Sequence, residues 1–141
     1  MTDSESRALR VVVADDDPFT LSLVTGGLEA QGFDVTSATS AEEALSAVAR
    51  VDPHALVSDL NFGPGRTGAA LLDRVAEEFP WIGLVVLTSH RSPELAVPNP
   101  ELIPASVVYL VKSQLSRVDE LAGAVHRAIS GQIDRDVVRN D

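Results

Sequence analysis

The chain has no cysteine, few aromatic residues and a deficit of positive charge. Without cysteine it can form neither a disulfide nor a thiolate metal site, which fits a reducing compartment. Aromatic residues make up 4% of the 141 residues and hydrophobic residues 45%, so the core must be aliphatic. Lysine and arginine number 11 against 21 acidic residues, a formal net charge of −10. This balance argues against a domain that binds nucleic acid by itself, because phosphate binding needs a basic face.

Long hydrophobic runs are also missing. The longest apolar stretches are far shorter than a membrane span, and residues 1–8 are polar, without the apolar core of a signal peptide. We therefore expect a cytoplasmic protein that does not enter a membrane. The length suits one globular domain, which we place at residues 9–131. Residues 1–8 are then a flexible N-terminal tail, and residues 132–141 a C-terminal tail or the start of a linker.

What the sequence does contain is an alternation of strand-like and helix-like segments. Short apolar runs predict five strands at Leu9–Ala14, Phe33–Ser37, Ala55–Ser58, Ile82–Thr88 and Val107–Val111. Apolar residues at helical spacing, with capping residues and stops, predict helices at Phe19–Gln31, Ser40–Ala49, Gly68–Phe79 and Ser116–Ile129. In the first of these helices the expected apolar face is Leu21, Val24 and Leu28.

The segment between the last two strands, Ser89–Ser106, carries four prolines. Proline interrupts helices, so we expect the fourth of five helices to be short or irregular. The strict strand–helix alternation predicts an α/β fold with a doubly wound, five-stranded parallel sheet in the order 2-1-3-4-5. In such sheets ligands bind beyond the carboxyl ends of the strands, near the point where the strand order reverses.

Polar side chains follow four of the strands at that edge. Asp15 and Asp16 follow the first strand, Asp59 the third, Thr88 the fourth and Lys112 the fifth. Three carboxylates at short range repel one another, and a site with few carboxylates and retained waters suits Mg²⁺. A metal, an ammonium group and a hydroxyl around one carboxylate make a phosphoryl-binding site, in which that carboxylate can act as a nucleophile.

Each of these residues alone is more often a turn former or a helix cap than a ligand. Asp17, directly before Pro18, is interpreted as such a cap. The hypothesis of a phosphoryl site rests on the convergence of all four strand ends, in the strand order that brings them together.

These segments match a known family. Val11–Pro18 resembles the acidic opening of response-regulator receiver domains from bacterial two-component systems, and Val57–Leu60 resembles their phosphoacceptor strand. Val85–Ser89 resembles their switch-hydroxyl strand, and Tyr109–Lys112 their aromatic-switch and lysine strand. The resemblance covers roughly Leu9–Gly131 and implies their flavodoxin-like receiver fold.

The resemblance implies a role for each residue. Asp59 would accept a phosphoryl group from a phosphohistidine on a sensor histidine kinase. Asp16 would bind Mg²⁺ directly and Asp15 mainly through water, while Asn61 would lend its backbone carbonyl to the metal. Lys112 would pair with the phosphoryl oxygens.

Further roles implied by the resemblance concern switching and dephosphorylation. Thr88 would move to hydrogen-bond the phosphoryl group, and Tyr109 would follow by rotating inward. Asn61 and His90 would border the attacking water and tune the lifetime of the phosphorylated state. The chain would be a signalling phosphoacceptor and not an enzyme, since it would catalyse only its own phosphorylation and dephosphorylation. Ser113 departs from the family, which usually has proline after the lysine.

Several functions remain open from the sequence. The chain could be a stand-alone receiver, or the receiver half of a helix-turn-helix transcriptional regulator cut before its DNA-binding domain. A homodimer or a downstream output domain are candidate partners. A non-phosphorylated pseudo-receiver would lack one or more pocket residues, and none is lost here. A hydrolase or phosphatase with an aspartyl nucleophile commonly needs a second acid two residues later, where this chain has Asn61.

Overall fold

The protein is a five-stranded sheet flanked by helices. The structure is a computed structural model of the chain, and it describes residues 8–59, 68–88, 107–111 and 118–130. The strands are β1 Arg10–Ala14, β2 Asp34–Ala38, β3 Ala55–Asp59, β4 Gly83–Thr88 and β5 Val108–Val111. The helices within these ranges are α1 Pro18–Ala30, α2 Ala41–Val51, α3 Gly68–Glu78 and α4 Val118–Ser130. The fourth helical segment that the sequence predicts, Ser89–Ser106, lies outside the described residues.

All four strand pairings are parallel, and the order is β2-β1-β3-β4-β5. The predicted doubly wound, flavodoxin-like sheet is therefore confirmed. In the register, Ala14 of β1 lies opposite Ser58 of β3, and Asp59 lies opposite Leu87 of β4. The carboxyl ends of β1, β3 and β4 therefore meet at one edge of the sheet.

Two aliphatic cores cover the two faces of the sheet. Successive side chains of a strand point to opposite faces, so Val12 packs with the core beneath α2 and α3 while Val11 and Val13 pack with the core beneath α1 and α4. These three valines are fully buried, and each such burial contributes about 1.5–3 kcal/mol. Burial on both faces explains why the strands read as continuous apolar runs.

The inward face of α1 differs by one residue from the expected one. Its buried residues are Thr20, Val24 and Leu28, at i, i+4 and i+8. Leu21, which the sequence places on the apolar face, is only partly buried. The inward face of α1 therefore includes Thr20, whereas the sequence analysis placed Leu21 there.

Helix α2 begins with a capping arrangement. The Ser40 hydroxyl accepts a hydrogen bond from the Glu43 N–H at 3.1 Å, as the Ser40–Glu43 spacing predicts. The Glu43 carboxylate accepts from the backbone N–H and the hydroxyl of Thr39. The hydrogen bond from the Thr39 backbone is the main reason why the pKa of Glu43 lies below its usual value.

The amino edge of the sheet is closed by contacts between residues that are distant in sequence. The backbone N–H of Arg10 donates to His54 Nδ1 at 3.1 Å, and the guanidinium of Arg10 donates to the Asp52 carbonyl through Nε and Nη2. The His54 carbonyl accepts from the Gly83 N–H at 3.0 Å. These bonds hold the first residues of β1 and β4 beside the start of β3.

No helix in the described ranges is long and apolar enough to cross a membrane.

Candidate functional site

Three aspartates converge at the carboxyl edge of the sheet. Asp15 and Asp16 follow β1, and Asp59 ends β3, the neighbouring strand. One carboxylate oxygen from each of the three lies within 4.8 Å of the other two. Asp15 is fully buried and Asp59 is 7% exposed, whereas Asp16 is exposed. Among these three aspartates, Asp16 is thus the one exposed to solvent.

The charges of this cluster point to a cation. Carboxylates at such distances repel one another, and burial deprives Asp15 and Asp59 of the water that would screen them. Three carboxylate oxygens are hard ligands of the kind that Mg²⁺ and Ca²⁺ take in proteins. The exposure of Asp16 is compatible with the water molecules that Mg²⁺ retains. The residues present therefore fit a hard divalent cation.

The backbone around Asp15 is fixed by hydrogen bonds on both sides. The Asp15 N–H donates to the carbonyl of Ala38, the last residue of β2, at 3.1 Å. The Asp17 N–H donates to Asp15 Oδ1 at 2.9 Å. Asp15 therefore lies in a fixed position between the two strands and the first turn of α1.

Asp17 is the N-cap of α1, as the sequence predicts. Its backbone is extended, with φ −89° and ψ 113°, and its Oδ1 accepts from the Phe19 N–H at 3.2 Å. Pro18 follows as the first residue of the helix, where its missing N–H costs nothing. This cap places the start of α1 directly beside the carboxylate cluster.

Two polar residues at the site were not identified from the sequence. The hydroxyl of Thr20, which is 8% exposed, donates to Asp17 Oδ2 at 2.7 Å. The hydroxyl of Ser58, which is fully buried, donates to the Asp59 carbonyl at 2.9 Å. A threonine three residues after an aspartate N-cap is a signal that could have identified Thr20, because the third residue of a helix faces its cap.

The other predicted site residues are only partly within the described chain. Thr88 ends β4 opposite Val111 of β5, so its backbone lies at the same edge as Asp59; its side chain is outside the described part. Tyr109 lies on β5 and is 41% exposed. Lys112, Asn61 and His90 lie outside the described residues.

Comparison with known proteins gives relatives along most of the chain. The DNA-binding transcriptional regulator NtrC of Salmonella typhimurium is 30% identical over 130 residues, which are 92% of this chain and 27% of the relative. The nitrogen assimilation regulatory protein NtrX of Azorhizobium caulinodans is 32% identical over 88 residues, 62% of this chain and 19% of that protein. The chain thus spans about a quarter of the length of these regulators or less.

Solved structures show the same fold. The chemotaxis response regulator CheY4 of Vibrio cholerae superposes with a TM-score of 0.73 at 24% identity, covering 86% of this chain and 98% of that one. NtrX from Brucella abortus superposes with a TM-score of 0.77 at 25% identity, covering 95% and 30%. The sequence model of the family described as "Response regulator receiver domain" matches residues 11–114. The chain therefore belongs to the response-regulator receiver domains of two-component systems.

Proposed function

We propose that the chain is a phosphoacceptor that takes a phosphoryl group from a sensor histidine kinase onto Asp59 in the presence of Mg²⁺. The observation that carries the proposal is the convergence of the Asp15, Asp16 and Asp59 carboxylates within 4.8 Å at the carboxyl edge of the sheet. Membership of the receiver family supports the same reading. The fold places these residues where parallel α/β sheets bind their ligands.

Asp59 supplies the nucleophile. One of its carboxylate oxygens bonds to phosphorus as the phosphorus–nitrogen bond to the donor's imidazole breaks. Mg²⁺, held by Asp15, Asp16, Asp59 and the backbone carbonyl of Asn61, would supply positive charge against the phosphoryl oxygens. Because the phosphoryl group remains on Asp59, the chain acts as a signalling phosphoacceptor and catalyses only its own phosphorylation and dephosphorylation.

The remaining roles follow the family pattern. Lys112 pairs with the phosphoryl oxygens, and Thr88 moves to donate its hydroxyl to them. Tyr109, 41% exposed on β5, then rotates inward, and the surface that it leaves changes shape. Asn61 and His90 border the water that hydrolyses the acyl phosphate.

A second candidate concerns what the domain is attached to. The NtrC relative is a DNA-binding transcriptional regulator, of which the matched region is 27%. This favours a receiver domain that is one part of a transcriptional regulator of the cytoplasm. The domain would comprise residues 9–131, with residues 1–8 and 132–141 as tails. The output then passes to a DNA-binding domain or through a homodimer. The open reading frame that encodes the chain distinguishes this arrangement from a stand-alone receiver.

The test of the function is chemical phosphorylation. Incubation with phosphoramidate or acetyl phosphate and Mg²⁺ adds one phosphoryl group, detected by intact-protein mass spectrometry. The Asp59→Asn variant gains none, and chelation of Mg²⁺ abolishes the modification of the wild type.

Asp34→Asn is the matched control, because Asp34 is an exposed aspartate at the amino end of β2. It is modified like the wild type. Undiminished modification of Asp59→Asn would refute the assignment of the phosphoacceptor. A wild-type chain that stays unmodified would instead favour a pseudo-receiver that acts by binding alone.

A further inference from the structure

Two consecutive hydrogen bonds connect the inward face of α1 to the carboxylate cluster. The Thr20 hydroxyl donates to Asp17 Oδ2 at 2.7 Å, and Asp17 donates its backbone N–H to Asp15 Oδ1 at 2.9 Å. Neither Thr20 nor Asp17 belongs to the three residues whose carboxylate oxygens converge. The series therefore connects the first turn of α1 to the cluster through Asp15.

Thr20 occupies an unusual position for a polar side chain. It is 8% exposed and shares the inward face of α1 with Val24 and Leu28. A buried hydroxyl without a hydrogen-bond partner lowers the free energy of unfolding by about 1–3 kcal/mol. The bond to Asp17 avoids this loss and allows Thr20 to occupy the buried face of the helix. The bond runs to a carboxylate, and hydrogen bonds to charged acceptors are the stronger kind.

The Thr20 hydroxyl also limits the rotation of the Asp17 side chain. The Asp17 carboxylate has two donors within α1, the Phe19 N–H at 3.2 Å and the Thr20 hydroxyl at 2.7 Å. The shorter of the two is the bond from Thr20, which comes from the buried side of the helix. Without it, the carboxylate loses its hydrogen bond from the buried side of the helix. The Asp17 side chain would then rotate more freely, and the Asp17 N–H would hold Asp15 Oδ1 less firmly.

We propose that Thr20 is a positioning residue for the metal site: through Asp17 it fixes the Asp15 carboxylate in the orientation that binds Mg²⁺. The inference rests on the proposed function, since it assumes that the carboxylate cluster binds this ion. Partners that orient metal ligands in proteins change metal affinity by about 10- to 100-fold when they are removed. Thr20 acts two hydrogen bonds away from Asp15, so we expect an effect near the lower limit.

The test is Mg²⁺ titration of the full chain by isothermal titration calorimetry. Thr20→Val keeps the shape of the side chain and removes the hydroxyl, and it weakens Mg²⁺ binding about 10-fold. Thr20→Ser keeps the hydroxyl and restores the affinity. Thr20→Ala serves as a second hydroxyl-free variant if Thr20→Val does not fold, and it shows the same loss.

Thr25→Val is the matched control on the same helix. The Thr25 hydroxyl is also buried but has no hydrogen-bond partner in the described part of the chain. Its removal leaves Mg²⁺ affinity unchanged, whatever it does to the melting temperature. Equal affinities of the wild type and Thr20→Val, or equal losses in Thr20→Val and Thr25→Val, would overturn the inference.

A metal-free measurement separates this inference from the proposed function. The amide hydrogen of Asp17, bonded to Asp15 in the wild type, exchanges faster in Thr20→Val and at the wild-type rate in Thr20→Ser. A wild type that does not bind Mg²⁺ defeats the proposed function and this inference together. A wild type that binds Mg²⁺ while Asp17 exchange and affinity are insensitive to Thr20 defeats this inference alone.

Discussion

At the scale of single residues, His54 joins the starts of three strands. Its Nδ1 accepts from the Arg10 N–H at 3.1 Å, and its own N–H donates to the Arg10 carbonyl at 2.8 Å. The first residue of β1 thus depends on the side chain of a residue 44 positions away.

Removal of the His54 Nδ1 acceptor should lower the stability of the fold. We expect His54→Ala to lower the free energy of unfolding by about 1–2 kcal/mol, because the Arg10 N–H loses its partner. His54→Asn places a carbonyl oxygen near the position of Nδ1 and should lose less. Urea denaturation of the two variants measures the difference. Equal losses in both would show that the imidazole contributes by packing and not by its Nδ1.

At the scale of elements, the beginning of β4 and the end of α4 are in direct contact. A Cβ atom built on Gly83 would lie 2.6 Å from the Ala128 carbonyl carbon, 2.7 Å from its oxygen and 2.8 Å from the Ile129 nitrogen. All three atoms belong to the backbone of α4, so no side-chain rotation can relieve the clash. Only glycine at position 83 allows the strand and the helix to approach this closely.

Two glycine-to-alanine substitutions therefore have opposite effects. Gly83→Ala forces β4 and α4 apart and should cost about 1–3 kcal/mol or more. Gly26→Ala on α1 meets no atom within 4 Å and should add about 0.5–1 kcal/mol, because alanine is the better helix former. Urea denaturation of both variants is the measurement. A Gly83→Ala protein as stable as the wild type would mean that the helix can move away at no cost.

At the scale of the whole molecule, the proposed metal site would couple the stability of the fold to the cation. Repulsion among Asp15, Asp16 and Asp59 opposes folding in the absence of a cation, whereas a cation bound only by the folded state stabilises it. The folded sheet brings these three carboxylates together. Both their repulsion and the stabilisation by a bound cation are therefore properties of the native state.

This coupling predicts that the Asp59→Asn substitution affects stability in opposite directions without and with Mg²⁺. In metal-free buffer, Asp59→Asn should melt at a higher temperature than the wild type, because one repelling charge is removed. With Mg²⁺ at about 100 times its dissociation constant, the wild type gains about 2.7 kcal/mol, and the variant gains less. Asp34→Asn should respond like the wild type. Identical melting curves for all three with and without Mg²⁺ would contradict a cation site at this cluster.

The sequence predicts the larger features of this molecule well, because they follow from local patterns. Buried apolar runs and capped helices gave the strand order, and the strand order brought Asp15, Asp16 and Asp59 together. The Asp17 cap followed from its place before Pro18.

Contacts that depend on packing could not be predicted in this way. Thr20 and Leu21 are adjacent on α1, and a small rotation of the helix decides which one faces the sheet. The bond from Arg10 to His54 joins β1 to the residue before β3, and no local pattern specifies the register of these two strands. Lys112, Asn61 and His90 remain predictions from the sequence.

The middle position of β3 has a mechanical consequence. All five of its residues are buried, and it has two strands on either side. A shift of such a strand would disturb packing on both faces and pairing on both sides, so we expect the Asp59 backbone to stay in place when the charge at its end changes. Among the described elements, displacement costs less at the periphery, where β5 is an edge strand of four residues with Tyr109 exposed to solvent. If Asp59 is phosphorylated as proposed, we expect the structural response at β5 and not at the centre of the sheet.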